Sequence, residues 1–350
     1  MKLHLPVTLL SAVLACYSVA VLTASAETLT SNVTISTDTT WNETTTIGAN
    51  GLTLTIETGK TLTQAEGAFN IGNNSLTITG GGVFRIETAA TQKIGSDPIS
   101  KTLTINNATL DLSAPDASLN SGGYTRCRVT VTDGGVLRVG EYSYNGLGQM
   151  ATNTDYWTLN NKGRLELTKE ENGEFGCGLT VAAGAGGGAV EVENASSTVR
   201  MTVSSAQWIQ LNGALTLTGA GNMTTAGDNV FRGTGRLIKD GSGTLTLAHA
   251  SSFTGGVELK GGTLIVSHAS GMGTNKNLSV TGNAAIGGIS AGNIQQLSGT
   301  GVDGVAVRGS GPGRLRRGQQ CRPVHDRRRP VPWGAEYDDR QPEPGSGRAD

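Results

Sequence analysis

The chain has few of the large and charged residues that a compact globular protein carries. Aromatic residues make up 4% and charged residues 16% of its 350 residues, with only 4 cysteines and 9 prolines. So little charge argues against a disordered polyelectrolyte, and a compact core usually holds more large apolar side chains. After residue 26, no segment approaches the ~20 apolar residues of a membrane helix. We therefore expect neither a membrane span in the mature chain nor an ordinary globular core.

Glycine is abundant instead, with 52 residues, and it separates short runs in which apolar residues alternate with polar ones. Alternation places one face of a strand in a core and the other in solvent, and glycine allows the positive φ of tight turns. Corresponding runs recur roughly every 24–27 residues, a spacing typical of solenoids. Representative runs are Leu52–Ile56, Leu76–Ile78, Leu103–Ile105, Val129–Val131, Val190–Val192 and Leu215–Leu217.

This repetition predicts an all-β protein, a right-handed parallel β-helix of about ten coils, in one elongated domain over residues 27–304. One coil cannot bury its apolar stripe alone, but stacked coils bury their stripes against each other. Each inward Leu, Ile or Val then contributes about 1.5–3 kcal/mol. A β-sandwich or barrel is the alternative, because strand–Gly–Gly–strand segments such as residues 129–139 are also compatible with antiparallel hairpins.

Residues 233–274 contain the most regular of these strand–turn units. The positions that carry a family resemblance are Gly233, Gly235, Leu237, Lys239, Gly241, Gly243, Leu245, Leu247, Gly255, Gly256, Gly262 and Leu264. Their spacing resembles the passenger-associated transport repeat (autotransporter-associated β-strand repeat), with Phe253 at its aromatic position. His249 and Ser251 depart from the pattern, since Gly and Asn are usual there.

The resemblance implies an extracellular passenger region with a structural or adhesive role, and it implies no reaction. Such passengers belong to Gram-negative autotransporters and are held by a C-terminal β-barrel. No evenly spaced amphipathic strands of ~10 residues follow residue 300. We therefore expect a passenger fragment, or a protein anchored by another route. The expected location is secreted or at the cell surface, associated with the outer membrane where a full-length form carries an anchor.

The first 26 residues have the pattern of a secretory signal peptide. Lys2 is followed by an apolar stretch over residues 5–22 and by the small residues Ala24–Ser25–Ala26 before Glu27. This predicts contact with the export machinery. Cleavage before Cys16, as in a lipoprotein, is the alternative.

The C-terminal segment 305–350 differs from the body in composition. From residue 301 onward there are ten arginines, six of the nine prolines and no lysine. We predict a disordered Arg/Pro-rich tail, and a shift of reading frame near residue 305 is a second explanation of the abrupt change. A basic arm for nucleic acid or an anionic surface is a third interpretation, but we expect no nucleic-acid partner.

Residues suited to metal or redox chemistry are sparse. By the alternation of inward and outward residues, Cys127 and Cys177 both fall at inward positions. About two coils apart, they lie ~10 Å from each other, beyond disulfide reach, so two buried thiols are expected. His249 and His268 fit no common zinc spacing. We expect no cofactor and no metal.

Polysaccharide-cleaving β-helices are the rival class. Acid/base cleavage needs two carboxyl groups on opposite sides of the scissile bond. Asn153–Thr154–Asp155 stands alone here, and the body contains neither adjacent aspartates nor a Gly-His-Gly run. A protein without enzymatic activity is expected, with a polysaccharide lyase or hydrolase as the alternative.

Residues 140–156 interrupt the repeat, and long loops on solenoids often carry binding. Tyrosine rings can stack on sugars, while amide and carboxylate groups can bond their hydroxyls. This predicts contact with extracellular glycans or mucin. The candidate contact residues are Tyr142, Tyr144, Asn145, Asn153, Asp155 and Tyr156. A solvated loop whose tyrosines cap the neighbouring coils is the alternative.

Overall fold

The computed structural model describes residues 27–88, 101–114, 128–140, 157–176, 178–184, 186–202 and 208–288, and the backbone of residues 296–298 and 306–308. The chain divides into two compact units, Met1–Lys169 and Glu170–Asp350. No helix occurs in the described ranges, and hence none there is long and apolar enough to cross a membrane.

The first unit consists of short strands that lie in three parallel sheets. Its strands are β1 (Glu27–Leu29), β2 (Val33–Ile35), β3 (Thr39–Trp41), β4 (Thr45–Ile47), β5 (Leu52–Ile56), β6 (Thr61–Gln64), β7 (Phe69–Asn70), β8 (Leu76–Thr79), β9 (Val83–Ile86), β10 (Thr102–Asn106), β11 (Thr109–Leu112), β12 (Arg128–Thr132), β13 (Val136–Val139), β14 (Trp157–Leu159) and β15 (Gly163–Leu167). The sheet orders are β1-β4-β7, β2-β5-β8-β10-β12-β14 and β3-β6-β9-β11-β13-β15.

The second unit repeats this arrangement. Its strands are β16 (Gly173–Phe175), β17 (Leu179–Val181), β18 (Gly188–Val192), β19 (Thr198–Met201), β20 (Ile209–Leu211), β21 (Leu215–Gly219), β22 (Asn222–Thr225), β23 (Phe231–Gly233), β24 (Leu237–Lys239), β25 (Thr244–Leu247), β26 (Val257–Leu259), β27 (Gly262–Val266), β28 (Asn277–Val280), β29 (Ala284–Gly287), β30 (Gln296–Ser298) and β31 (Ala306–Arg308). The sheet orders are β16-β19-β22-β25-β27-β29-β31, β17-β20-β23 and β18-β21-β24-β26-β28-β30.

Strands that follow each other in the sequence belong to different sheets, and each pairs in parallel with strands one coil away. Leu103 of β10, for example, aligns with Leu76 of β8 on one side and Val129 of β12 on the other. The predicted parallel β-solenoid is confirmed, and about ten coils is close to the observed number. The sandwich or barrel alternative is wrong, because β12 and β13 do not form a hairpin. β12 pairs in parallel with β10 and β14, and β13 with β11 and β15.

The alternation of apolar and polar residues in the sequence corresponds to an alternation of buried and more exposed side chains in the strands. In β5 the three apolar residues Leu52, Leu54 and Ile56 are buried, and the two threonines between them are partly exposed. Aromatic side chains fill the interior near the start of the first unit, where the ring centroids of Phe69 and Phe84 lie 4.8 Å apart, edge to face. The core of each unit is therefore a column of inward side chains, one layer per coil.

The predictions for the two ends and for the cysteines fall largely outside the described residues. These include the signal peptide, Cys127, Cys177 and the tail beyond β31. β31 itself lies at the start of the predicted tail, where residues 306–308 pair in parallel with β29. These predictions stay predictions.

Some glycines cannot be replaced because the backbones of neighbouring coils are in close contact there. Gly243 is an example. A Cβ at Gly243 would lie 1.9 Å from the carbonyl oxygen of Gly221. Because backbone atoms cannot move aside, we expect Gly243→Ala to lower the free energy of unfolding by about 2–3 kcal/mol. Urea unfolding of the purified chain measures the change.

The matched control is Gly261→Ala, in the next coil. There the nearest atoms, of Asp240 and Gly241, would be 3.2–3.4 Å from the new Cβ, so we expect a change below about 1 kcal/mol. Equal effects of the two substitutions would contradict the contact as the cause.

Candidate functional site

The six predicted glycan-contact residues, Tyr142, Tyr144, Asn145, Asn153, Asp155 and Tyr156, lie outside the described residues. The structure does describe both ends of the segment that carries them. Val139, the last residue of β13, precedes this segment in the sequence, and Trp157, the first residue of β14, follows it. Both side chains are buried in the core of the first unit.

The outer face of the sheet that contains β9, β11, β13 and β15 carries a row of charges of alternating sign. Arg85, Asp111, Arg138 and Glu166 occupy the same outward position on β9, β11, β13 and β15, since each is the direct register partner of the next. Neighbouring strands lie ~4.8 Å apart. We call these four residues the charged ladder. Its third member, Arg138, is followed by Val139, the last residue of β13 and the last before the loop 140–156.

Ion pairs connect the members of the charged ladder. Arg85 Nε lies 3.4 Å and Arg138 Nη1 3.8 Å from Asp111 Oδ2. Arg138 Nε lies 2.7 Å from Glu166 Oε2, and Arg164 Nε lies 2.9 Å from Glu166 Oε1. Each carboxylate thus has guanidinium groups on two sides.

The acids and the bases of the ladder differ in depth. The side chains of Asp111 and Glu166 are only 4% and 10% exposed, whereas those of Arg85 and Arg138 are 46% and 31% exposed. Exposed ion pairs contribute little, but buried carboxylates need such partners to offset the loss of hydration. The acids therefore form the floor, and the guanidinium groups form the surface, of a shallow groove that also includes Val83, Thr109, Val136 and Arg164.

The groove is suited to binding polar groups through arginine. A guanidinium has five N–H donors in a planar fork, which matches carboxylates, sulfates and paired hydroxyls. The ion pairs with Asp111 and Glu166, together with that of Arg85 Nη1 with Glu87 Oε1 at 3.8 Å, hold the arginine guanidinium groups at the surface of the groove. This array of guanidinium groups is the best-defined candidate site among the described residues.

The charged ladder was not predicted from the sequence, although part of the signal was present. Asp111 and Glu166 are the outward residues of two alternating runs, Leu110–Leu112 and Leu165–Leu167. Alternation assigns each residue to a face, but it does not say which coil positions stack on one another. The ladder exists because of the register between coils, and that depends on the turns between them.

The second unit contains a buried lysine. Lys239 is 3% exposed and points inward from β24. Its Nζ donates to the carbonyl oxygens of Asp240, Gly241 (3.0 Å) and Gly261 (3.4 Å), in the turns of two successive coils. Burial lowers the pKa of Lys239 from 10.5 to about 8, partly opposed by the nearby Asp240 carboxylate. Lys239 therefore joins neighbouring turns in the structure.

The two histidines considered as metal ligands have other contacts. His249 Nδ1 lies 3.7 Å from Asp228 Oδ1, and His268 Nδ1 accepts a hydrogen bond of 3.1 Å from the Ser270 amide. Within the part of the chain that the structure describes, no group of three His, Cys, Asp or Glu residues could hold a metal ion.

Comparison with known families identifies the segment around Lys239. The model of the passenger-associated transport repeat matches residues 237–266, which run from the first residue of β24 to the last residue of β27. No curated protein and no solved structure gives a match to the chain. The resemblance inferred from the spacing of residues 233–274 is thereby confirmed. The chain is thus a parallel β-solenoid that carries a passenger-associated transport repeat at residues 237–266.

Proposed function

We propose that this protein is a secreted or surface-displayed passenger with a structural and adhesive role, which contacts extracellular glycans. One observation carries the proposal: a passenger-associated transport repeat at residues 237–266 built into a parallel β-solenoid. That combination fits an autotransporter passenger domain. A solenoid of stacked coils is suited to this role, because it presents flat outer faces and tolerates loop insertions between coils.

The glycan-contact surface in this proposal is the loop 140–156 together with the charged ladder. The loop supplies three tyrosines as platforms for sugar rings, and the ladder supplies oriented guanidinium groups beside the point where the loop begins. Aromatic rings combined with planar hydrogen-bond donors are the groups that bind sugars, since a sugar has apolar ring faces and polar edges. Adhesion through such contacts requires no catalytic residue.

Replacing Tyr142, Tyr144 and Tyr156 together with alanine is expected to weaken binding to mucin or to the glycans of an array by at least about tenfold. Each aromatic contact contributes about 0.5–1.5 kcal/mol, and 1.4 kcal/mol corresponds to a factor of ten. Titration of the purified chain against immobilised mucin measures the change. The matched control is Tyr124→Ala, a tyrosine of the body outside the loop, which should bind as the native chain does.

Unchanged binding by the triple variant, or no binding by the native chain, would refute the adhesive role of the loop. The rival enzymatic role is tested on the same samples by release of reducing ends from pectins, mucin glycans and glycosaminoglycans. Turnover that is lost in Asp155→Asn would contradict our proposal. Cell fractionation tests the surface location, because a protein found only in the cytoplasm would exclude a passenger role.

A further inference from the structure

The second unit has an aromatic–guanidinium cluster on the outer face of β20 and β23. Ile209 and Phe231 are register partners and both point into the core. The next residues, Gln210 and Arg232, are also partners and point outward. Trp208 precedes β20 and is partly exposed. We call Trp208, Gln210, Asn212 and Arg232 the Trp208 cluster.

Arg232 is held in place from two directions. Its guanidinium carbon lies 4.0 Å from the centroid of the Trp208 ring, a cation–π contact that fixes the plane of the group. Its Nε lies 3.4 Å from the carbonyl oxygen of Asn229 and donates to it. Asn229 has a positive φ of 60°, and this turn places the carbonyl beside Arg232. The guanidinium is therefore oriented before any ligand binds.

The amide groups of the cluster form a chain of hydrogen bonds. Trp208 Nε1 donates to Gln210 Oε1 at 3.1 Å, and Gln210 Nε2 donates to Asn212 Oδ1 at 2.9 Å. Gly233 makes room for this chain, because a Cβ at that position would lie 2.6 Å from Gln210 Nε2. The Trp208 ring and the amides of Gln210 and Asn212 are thus fixed on the same surface as Arg232.

The terminal nitrogens of Arg232 distinguish it from the other arginines that the structure describes in this unit. Arg200 Nη1 lies 2.7 Å from Glu174, and Arg236 Nη1 lies 2.9 Å from Glu258. Arg232 contacts no carboxylate among the described residues, and its only hydrogen bond there uses Nε. An oriented guanidinium whose Nη groups have no acceptor among the described residues is suited to bidentate binding of a carboxylate.

We propose that the Trp208 cluster binds an acidic sugar of a glycan, such as a uronic or sialic acid unit. The carboxylate of the sugar binds Nη1 and Nη2 of Arg232, and its hydroxyls bond the amides of Gln210 and Asn212. This inference rests on the proposed adhesive function and specifies a ligand class for a second surface, one that does not include the loop 140–156.

The test compares Arg232→Gln with Arg236→Gln, which removes the same charge from the same unit. Isothermal titration uses three probes: an oligogalacturonate, which carries carboxylates, dextran sulfate, which carries sulfates, and neutral dextran. We expect Arg232→Gln to weaken oligogalacturonate binding by at least about tenfold and Arg236→Gln to change it by less than about twofold. Arg232→Lys, which keeps the charge but loses the planar fork, should also weaken binding.

Several results would overturn the proposal. Equal losses of oligogalacturonate affinity in the two glutamine variants would show a general charge effect. If dextran sulfate or neutral dextran bound as tightly as oligogalacturonate, recognition of a carboxylate would be excluded. Thermal melting must show that Arg232→Gln is folded, and Trp208→Leu provides a second variant that should also lose binding. A native chain that binds glycans through the loop tyrosines but is unaffected by Arg232→Gln refutes this inference alone, whereas a native chain that binds no glycan refutes the proposed function as well.

Discussion

Lys239→Met is expected to lower the free energy of unfolding by about 3 kcal/mol. The substitution keeps an unbranched apolar chain in the core but removes the donor to the carbonyl oxygens of Asp240, Gly241 and Gly261. A buried acceptor that loses its partner costs about 1–3 kcal/mol, and loss of the charge from a buried site recovers part of this cost. Chemical denaturation at pH 7 measures the difference.

The stability contributed by Lys239 should also depend on pH. The pKa of Lys239 is about 8 in the folded chain and 10.5 when exposed. Between these values the unfolded chain binds more protons, so the free energy of unfolding rises as pH increases from 8 toward 10.5. The slope for one group cannot exceed about 1.4 kcal/mol per pH unit. Below pH 8 both states carry the charge, and this contribution has no slope.

The pH dependence is isolated by subtracting the curve of Lys239→Met from that of the native chain. Lys260→Met is the matched control, because Lys260 is 44% exposed and its Nζ lies 3.7 Å from Glu258. We expect it to change the free energy of unfolding by no more than about 0.5 kcal/mol. Lys239 would not hold the turns as we describe if Lys239→Met lowered the free energy of unfolding as little as this control does. The same conclusion would follow if the difference between the native and Lys239→Met curves did not change with pH above 8.

Phe253→Ala should produce the other large loss, about 4 kcal/mol of unfolding free energy. Phe253 is fully buried, and its ring meets that of Phe231 edge to face at a centroid distance of 6.3 Å. The amides on either side of it, of Ser252 and Thr254, bond the backbone of Phe231 and Gly233. Phe253 therefore extends the stack of core side chains from β23 into the next coil, although residues 252–254 do not form a strand. Thermal and urea unfolding measure the loss.

A double-mutant cycle separates the ring contact from simple burial. Phe231→Leu and Phe253→Leu, alone and together, should show a coupling of about 1 kcal/mol. The control pair is Phe175→Leu with Phe253→Leu, since Phe175 is buried in β16 and has no described ring contact with Phe253. An additive result for Phe231 with Phe253 would contradict the proposed contact.

These two residues show how far the sequence predicted the structure. Phe253 and Lys239 both stand at characteristic positions of the repeat, and the spacing of glycines and leucines was sufficient to identify it. Lys239 also shares the inward parity of Leu237. The sequence did not show where a buried ammonium group would find acceptors, because these are backbone carbonyls in two turns that only folding brings together.

The sequence by itself determined the fold class and the inward or outward orientation of most strand residues, because alternation within a strand is a local property set by the pleat. The tertiary structure decided which residues of different coils became neighbours. It stacked Arg85, Asp111, Arg138 and Glu166 into the charged ladder, and it set Arg232 over Trp208. The physical reason is that the register between coils depends on the length and shape of each turn and on the packing of the core, and no single strand encodes these.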